Sequence, residues 1–106
     1  QVNLGIMFFS GQAVPRNYTQ GNYWFEKAAK QGNARAQYML GNSYEKGKGF
    51  TKSSSEAYAW YSLSASQGEA RASKSMDFIE VGMSRDWIEN AQKLATLYYE
   101  KYMQKH

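Results

Sequence analysis

The chain has 106 residues, which is enough for one small domain. It contains no cysteine, and its single histidine is the last residue. This composition excludes a disulfide framework, a cysteine nucleophile, a thiolate zinc site and a catalytic triad built on histidine. No apolar run approaches the roughly 20 residues that a membrane-spanning helix needs.

The hydrophobic core is predicted to consist mainly of aromatic rings and alanines. Leu, Ile, Val and Phe together number only 16 residues, whereas the chain carries 5 Phe, 9 Tyr and 3 Trp. Each aromatic side chain can bury roughly 150–250 Å². A formal net charge of +4 is too small to hold the chain open, so we expect a folded domain.

An internal repeat organises the sequence. Residues 1–36 align with residues 37–72 without a gap, and eleven of the aligned pairs are identical. The identical pairs include Leu4/Leu40, Gly5/Gly41, Trp24/Trp60, Gly32/Gly68 and Arg35/Arg71. Self-similarity at a fixed period of this length indicates a solenoid of stacked units.

The first unit spans residues 1–33 and begins inside a helix, so we expect it to lack its opening turn. Asn17 is the predicted N-cap of the second helix, and Trp24 and Phe25 lie on its predicted buried face. Gly32 is expected to end that helix. Because the chain does not begin with Met, we expect a processed protein or a fragment of a longer one.

The second unit, residues 34–69, repeats this pattern. Apolar residues at four-residue spacing from Ala36 predict its first helix, which Gly47 and Gly49 are expected to break. Ser53 is the predicted N-cap of the second helix, with Glu56 reaching back to the Ser53 amide to complete a capping box.

The third unit and a closing helix occupy residues 70–106. Residues 70–81 are predicted to form a helix that ends at Gly82, and Ser84 is the predicted N-cap of the last helix. The buried face of that last helix is expected to consist of Ile88, Ala91, Ala95, Tyr98 and Tyr102. A degenerate final unit of this kind closes the open end of a repeat array.

The motif Leu40-Gly41-x-x-Tyr44-x-x-Gly47-x-Gly49, followed by Trp60 and Ala65-x-x-Gly68, resembles the Sel-one-like repeat (SLR) family. The first unit fits the same motif from Leu4-Gly5 to Gly32. The resemblance implies an all-α fold, a right-handed α/α superhelix of about three helix pairs similar to the tetratricopeptide fold, in a single domain over residues 1–106. It also implies a protein-interaction scaffold without catalytic residues or cofactors. SLR proteins in bacteria are often exported, so we expect an exported bacterial protein, periplasmic or secreted.

Two glycines at the same repeat position, Gly5 and Gly41, have a predicted packing role. A glycine in the middle of a helix destabilises it, so its presence needs a reason. We expect each one to let a neighbouring helix approach where any β-carbon would clash.

The first helix of each pair is expected to line the concave face, with a wall of side chains offset from the core. We predict a partner-binding set on this wall: Phe9, Arg35, Tyr38, Asn42, Glu45, Arg71, Lys74 and Phe78. The basic residues would clamp an acidic group of a protein or peptide, and the three rings would be apolar anchors. For Arg35 and Arg71 a solvated or structural role is the alternative.

Other functions compete with binding of a protein or peptide. The chain is alternatively a structural segment of a longer array, and self-association through its open N-terminal end is a further expectation. A sequence pI near 9.3 raises nucleic acid as a partner, but the basic residues are interleaved with acidic ones. Carboxylate pairs such as Asp77 and Glu80 have the spacing of ordinary solvated helix faces, so an enzyme is disfavoured.

Overall fold

A computed structural model describes residues 2–12 and 14–103 of the chain. This part forms helices and connecting turns without a β-strand. The helices are α1 (Val2–Ser10), α2 (Tyr18–Lys30), α3 (Ala34–Lys46), α4 (Ser54–Ala65), α5 (Ala70–Val81) and α6 (Arg85–Tyr102). The predicted all-α solenoid of three helix pairs is therefore confirmed, and α5 has the bounds that the sequence predicted.

The helix starts lie where the capping residues predict them. The Asn17 side chain accepts a hydrogen bond from the amide of Gln20, and the Ser53 hydroxyl accepts one from the amide of Glu56. Ser84 does the same for Trp87. Each cap satisfies one of the amides that a first helical turn leaves without an intrahelical partner.

The predicted capping box at Ser53 is wrong in one part. The Ser53 amide donates to the carbonyl of Tyr44 at 2.9 Å, so Glu56 has no free amide to reach. The Glu56 carboxylate instead accepts the hydroxyl of Tyr98, which belongs to α6. A contact from 42 residues away therefore outcompetes the local one.

The helix glycines sit at the closest approach of each helix pair. A β-carbon on Gly5 would lie 2.6 Å from Cε1 of Phe25, and one on Gly41 would lie 2.7 Å from Cδ1 of Tyr61. Phe25 and Tyr61 occupy equivalent positions in the repeat. The predicted packing role of Gly5 and Gly41 is confirmed in both units.

The buried side chains form two clusters of rings, alanines and a few aliphatics. The first cluster joins α2, α3 and α4 around Phe25, Leu40 and Trp60. The second joins α4, α5 and α6 around Tyr58, Tyr61 and Ile79. The prediction that Trp24 fills the core as Trp60 does is wrong, because Trp24 is only half-buried and belongs to neither cluster.

Helix α6 packs mainly against α4 and has the buried face that the sequence predicts, with Ala91 and Ala95 buried. The ring centroids of Tyr98 and Tyr102 lie 5.1 and 5.5 Å from that of Trp60. Trp87 packs edge-on against Tyr58 at the other end of the helix. Thus α6 attaches to the second unit through aromatic contacts near both of its ends, with the two alanines between them.

Candidate protein-interaction surface

The predicted partner-binding residues lie on α1, α3 and α5, and the structure brings them together in two places. One is the contact between Tyr38 and Arg71, and the other is a groove that Glu45 and Phe78 line together. Arg35 and Lys74 are exposed, Asn42 is half-buried on α3, and Phe9 is separated from the rest on α1.

The guanidinium carbon of Arg71 lies 4.5 Å from the ring centroid of Tyr38, which is a cation–π contact between α5 and α3. Tyr38 also packs against Tyr61, with 5.7 Å between the ring centroids. Tyr38 is therefore half-buried against the second core cluster rather than standing free. Only part of the Tyr38 ring is therefore accessible to a partner, and the rest packs within the chain.

Arg71 already holds a carboxylate within the chain. Its Nε and Nη2 donate to the two carboxylate oxygens of Glu69, at 2.9 and 3.0 Å. The hydrogen bond from Arg71 lowers the pKa of Glu69, and Glu69 raises the pKa of Arg71. The expectation that Arg71 offers its fork to a partner therefore needs a correction, because Glu69 occupies that fork.

Arg35 has the same repeat position and a different environment. The position equivalent to Glu69 is Asn33, which caps α3 by accepting a hydrogen bond from the amide of Ala36 and carries no charge. Among the described residues, the ion pairs are Lys30–Glu26 and Arg71–Glu69. Arg35 and Lys74 are also exposed, and neither forms an ion pair within the described part of the chain.

A groove of about 660 Å³ lies between the end of α3, the start of α4 and the end of α5. Its apolar side is formed by Phe78, which is 76% exposed, and by Val81, which is 87% exposed. Its polar side carries Glu45, Lys46 and Lys52. The groove combines the largest exposed apolar surface of α5 with charged groups of both signs.

The carboxylate of Glu45 is held in place on this polar side. The hydroxyl of Tyr61 donates to Glu45 Oε1 at 2.6 Å, and burial together with this bond raises the pKa of Tyr61. A carboxylate that already accepts a short hydrogen bond is oriented before any ligand arrives.

Phe9 does not belong to the open wall. Its ring centroid lies 4.7 Å from that of Tyr18 and 5.4 Å from that of Phe25, and it packs against the first core cluster. Gly21 explains why, since a β-carbon there would lie 2.9 Å from the Phe9 ring. Of the three rings expected off the core, only Phe78 is largely exposed.

Lys46 and Lys52 were not among the predicted residues. Lys46 is the last residue of α3 and Lys52 lies in the turn before α4, so the two flank the glycine turn and do not belong to one helical face. The sequence signal that could have found them is the pair of basic residues on either side of Gly47 and Gly49.

The described residues contain no helix long and apolar enough to cross a membrane.

A family model described as Sel1 repeat matches residues 1–33 and 34–69. A search of curated proteins found no match.

Two solved structures are similar to this chain. The crystal structure of c5321, a protective antigen present in uropathogenic Escherichia coli strains that displays an SLR fold, superposes with a TM-score of 0.89 at 29% identity over 95% of this chain. The chain spans 22% of that protein. A Sel1 repeat protein from Oxalobacter formigenes has a TM-score of 0.70 and 41% identity over 72% of this chain, which spans 57% of it.

Sel1 repeat proteins are generally protein-interaction scaffolds, typically without catalysis. The family model covers well over half of the chain, and the solved neighbours share its helix arrangement. The chain belongs to the Sel1 repeat family.

Proposed function

We propose that this chain binds a peptide segment of another protein along the wall formed by α3 and α5, and that it performs no catalysis. The observation that carries the proposal is the groove at the end of this wall, where Phe78 exposes 76% of its surface beside Glu45, Lys46 and Lys52. An exposed aromatic ring next to charged groups is a feature of binding surfaces. When a partner buries the ring, the ring supplies most of the interface energy, and the charges orient the partner.

The wall favours an acidic peptide with one large apolar side chain. Lys46 and Lys52 outnumber the single carboxylate of Glu45 at the groove, and Arg35 adds an exposed cation at the other end of α3. Ten residues separate Arg35 from Glu45, which corresponds to about 15 Å along a helix. An extended segment of about five residues spans that distance.

The proposal is tested by selecting peptides from a displayed random library on the immobilised full chain. We expect enrichment of sequences with an apolar residue flanked by Asp or Glu. The selected peptides should bind the Phe78→Ser variant at least about tenfold more weakly, as expected for an interface anchor.

Leu97→Ser is the matched control, because Leu97 is an exposed apolar residue on α6 and does not line the groove. Equal weakening by both substitutions, or selection of peptides that ignore Phe78, would refute binding at this wall. Arg35→Glu and Lys74→Glu separately test the acidic preference.

A second candidate function is a structural segment of a longer array whose binding surface lies elsewhere. It is favoured by the lengths of the two solved neighbours, of which this chain spans 22% and 57%. Loss of peptide binding in Phe78→Ser with retained folding argues against it.

A further inference from the structure

Two cations meet at one aromatic ring where the turns of the first two units lie side by side. The guanidinium carbon of Arg16, from the turn between α1 and α2, lies 5.8 Å from the ring centroid of Tyr18. The ammonium nitrogen of Lys48, from the turn between α3 and α4, lies 5.7 Å from the same centroid. We call these three residues the Tyr18 cluster.

The backbone that carries Lys48 is fixed by buried contacts. The side-chain amide of Asn22 donates to the Lys48 carbonyl at 2.7 Å, and its oxygen accepts the Ser43 hydroxyl at 2.6 Å. Both Asn22 and Ser43 are buried, so water does not compete for these bonds. Gly49 has a φ of +81°, and a β-carbon there would lie 3.0 Å from Cβ of Tyr18. The turn of the second unit is therefore packed closely against the start of α2.

The Tyr18 ring is supported from within the first unit, and its two cations remain available. Phe9 packs against the ring with 4.7 Å between the ring centroids. Neither Arg16 nor Lys48 forms an ion pair within the described part of the chain. Since a cation–π contact at an exposed site is weak, both cations keep the capacity to bind an anion.

Stacking of a neighbouring repeat leaves this position open. Lys52 is the equivalent of Arg16 in the second unit, and it is exposed although a unit packs on each side of its own. Lys48 lies where the first and second units meet, and both are present. Lys52 also lines the groove beside Phe78. A basic residue thus recurs at one repeat position, once in the groove and once in the Tyr18 cluster.

We propose that the Tyr18 cluster is a second binding site for the peptide that occupies the groove, and that it binds acidic side chains of that peptide. The identity of the occupant rests on the proposed function. Arg16 has a planar fork that binds a carboxylate through two hydrogen bonds, and Lys48 adds a point charge. Alternate side chains of an extended peptide lie on one side of it, about 7 Å apart. Two acidic residues separated by one residue therefore suit two cations that approach the same ring.

The groove and the Tyr18 cluster share one short segment of the chain. Residues 46–52 carry Lys46 and Lys52 of the groove and Lys48 of the cluster. A peptide anchored on Phe78 therefore reaches the cluster by crossing a single turn. Glu45, the carboxylate of the groove, already accepts the Tyr61 hydroxyl, so the lysines along this path favour an acidic segment.

The test uses a fluorescein-labelled synthetic peptide of about twelve residues, which extends to about 40 Å. It has one tryptophan near one end and a glutamate at every second position of the rest. The peptide is titrated into the full chain at low salt, with fluorescence anisotropy as the readout. The double variant Arg16→Gln with Lys48→Gln should bind it about fivefold more weakly, the loss expected for two exposed ion pairs. The difference should disappear at high salt.

A matched control separates this site from attraction to net charge. The double variant Lys93→Gln with Lys101→Gln removes the same charge from exposed residues of α6 that do not line the groove, and should weaken binding far less. Variants of Tyr18 test the ring itself. Tyr18→Leu, which removes the ring between the cations, should weaken binding, whereas Tyr18→Phe, which keeps the ring, should retain it.

The outcomes distinguish this proposal from the proposed function. Equal weakening by the two double variants, unchanged affinity in the Arg16 and Lys48 variant, or no binding of the probe to the parent chain overturns the acidic site. Selection from the displayed library still tests the groove by itself. Weakening by Phe78→Ser alone leaves the groove and overturns the Tyr18 cluster, whereas weakening by the cluster variant alone supports the cluster and overturns the groove.

Discussion

The ring of Tyr61 fills the space where Gly41 lacks a side chain, so that a β-carbon there would lie 2.7 Å from ring atoms Cδ1 and Cε1. Tyr61 has no room to move away, since it is fully buried and its hydroxyl is bound to Glu45. The first unit has the same relationship between Gly5 and Phe25. Glycine at this position therefore sets the distance between the paired helices.

Gly41→Ala should destabilise the chain. Alanine favours helix by about 1 kcal/mol over glycine, but overpacking of a tight core costs about 1–3 kcal/mol, and here the clash is with a ring that cannot yield. We expect a net loss of stability in urea unfolding. Gly82→Ala is the control, because no atom lies within 4 Å of its β-carbon position and its φ is not positive. A neutral or stabilising Gly41→Ala would contradict this explanation.

Tyr58→Phe and Tyr61→Phe should each lower the free energy of unfolding. Tyr58 donates to Glu80, and Tyr61 donates to Glu45, both at 2.6 Å. Hydrogen bonds to charged groups contribute about 1.5–3 kcal/mol, and the lost hydroxyl leaves a partly buried carboxylate without its donor. Tyr99→Phe, at an exposed position on α6, should change stability far less. Equal effects at all three tyrosines would be the contrary result.

Stability should decrease in alkali as tyrosines ionise. Burial raises the pKa of Tyr44 and of Tyr58 from 10.0 to about 12, and Glu80 adds to the effect at Tyr58. The unfolded chain therefore loses these protons first as pH rises above 10.0, which favours unfolding until the folded-state pKa of about 12 is passed. Below pH 10 these two groups should contribute no slope.

Urea unfolding at a series of pH values measures this dependence. The Tyr58→Phe variant should show a shallower decline between pH 10 and 12 than the parent chain, because one shifted tyrosine is gone. An identical slope in the two proteins would show that Tyr58 does not titrate as described.

Glu69→Gln should raise the affinity of the α3–α5 wall for an acidic peptide. The substitution releases the Arg71 fork that Glu69 now holds. Because Arg71 is a solvent-exposed group, we expect an increase of less than about fivefold, and one that fades in high salt. Glu89→Gln on α6 removes the same charge away from the wall and should leave affinity unchanged. A decrease in affinity would mean that Glu69 itself contacts the peptide.

Local features of the fold were predictable from the sequence. The caps at Asn17, Ser53 and Ser84 and the bounds of α5 depend on neighbours within one helical turn. The repeat itself predicted the close approach at Gly41, because the same glycine recurs where two helices must pack.

Features that depend on the path of α6 were not predictable. Trp24 and Trp60 occupy equivalent positions in the repeat, but Tyr98 and Tyr102 of α6 pack on Trp60, which is buried, whereas Trp24 is half-buried. The capping box failed because the Ser53 amide donates to the Tyr44 carbonyl, and Glu56 accepts the hydroxyl of Tyr98 on α6 instead. A periodic pattern states which residues are equivalent, but not which of them a later helix will cover.

Part of the geometry of the candidate surface was predictable. Phe78 lies exposed and shares a groove with Glu45, but the pattern that named Phe9 does not account for Gly21, which lets that ring into the core. Glu69 is the N-cap of α5 and accepts hydrogen bonds from the Arg71 side chain. Helical periodicity does not predict a contact made by a capping side chain.

The contacts of α1 have a consequence for the order in which the solenoid opens. Its extensive packing is with α2 alone, whereas α4 packs against α3, α5 and α6 at once. In a linear array, each element is stabilised by its neighbours, so a helix packed against one other helix opens at a lower free energy than a helix packed against three. Amide hydrogens of α1 should therefore exchange with solvent well before those of α4.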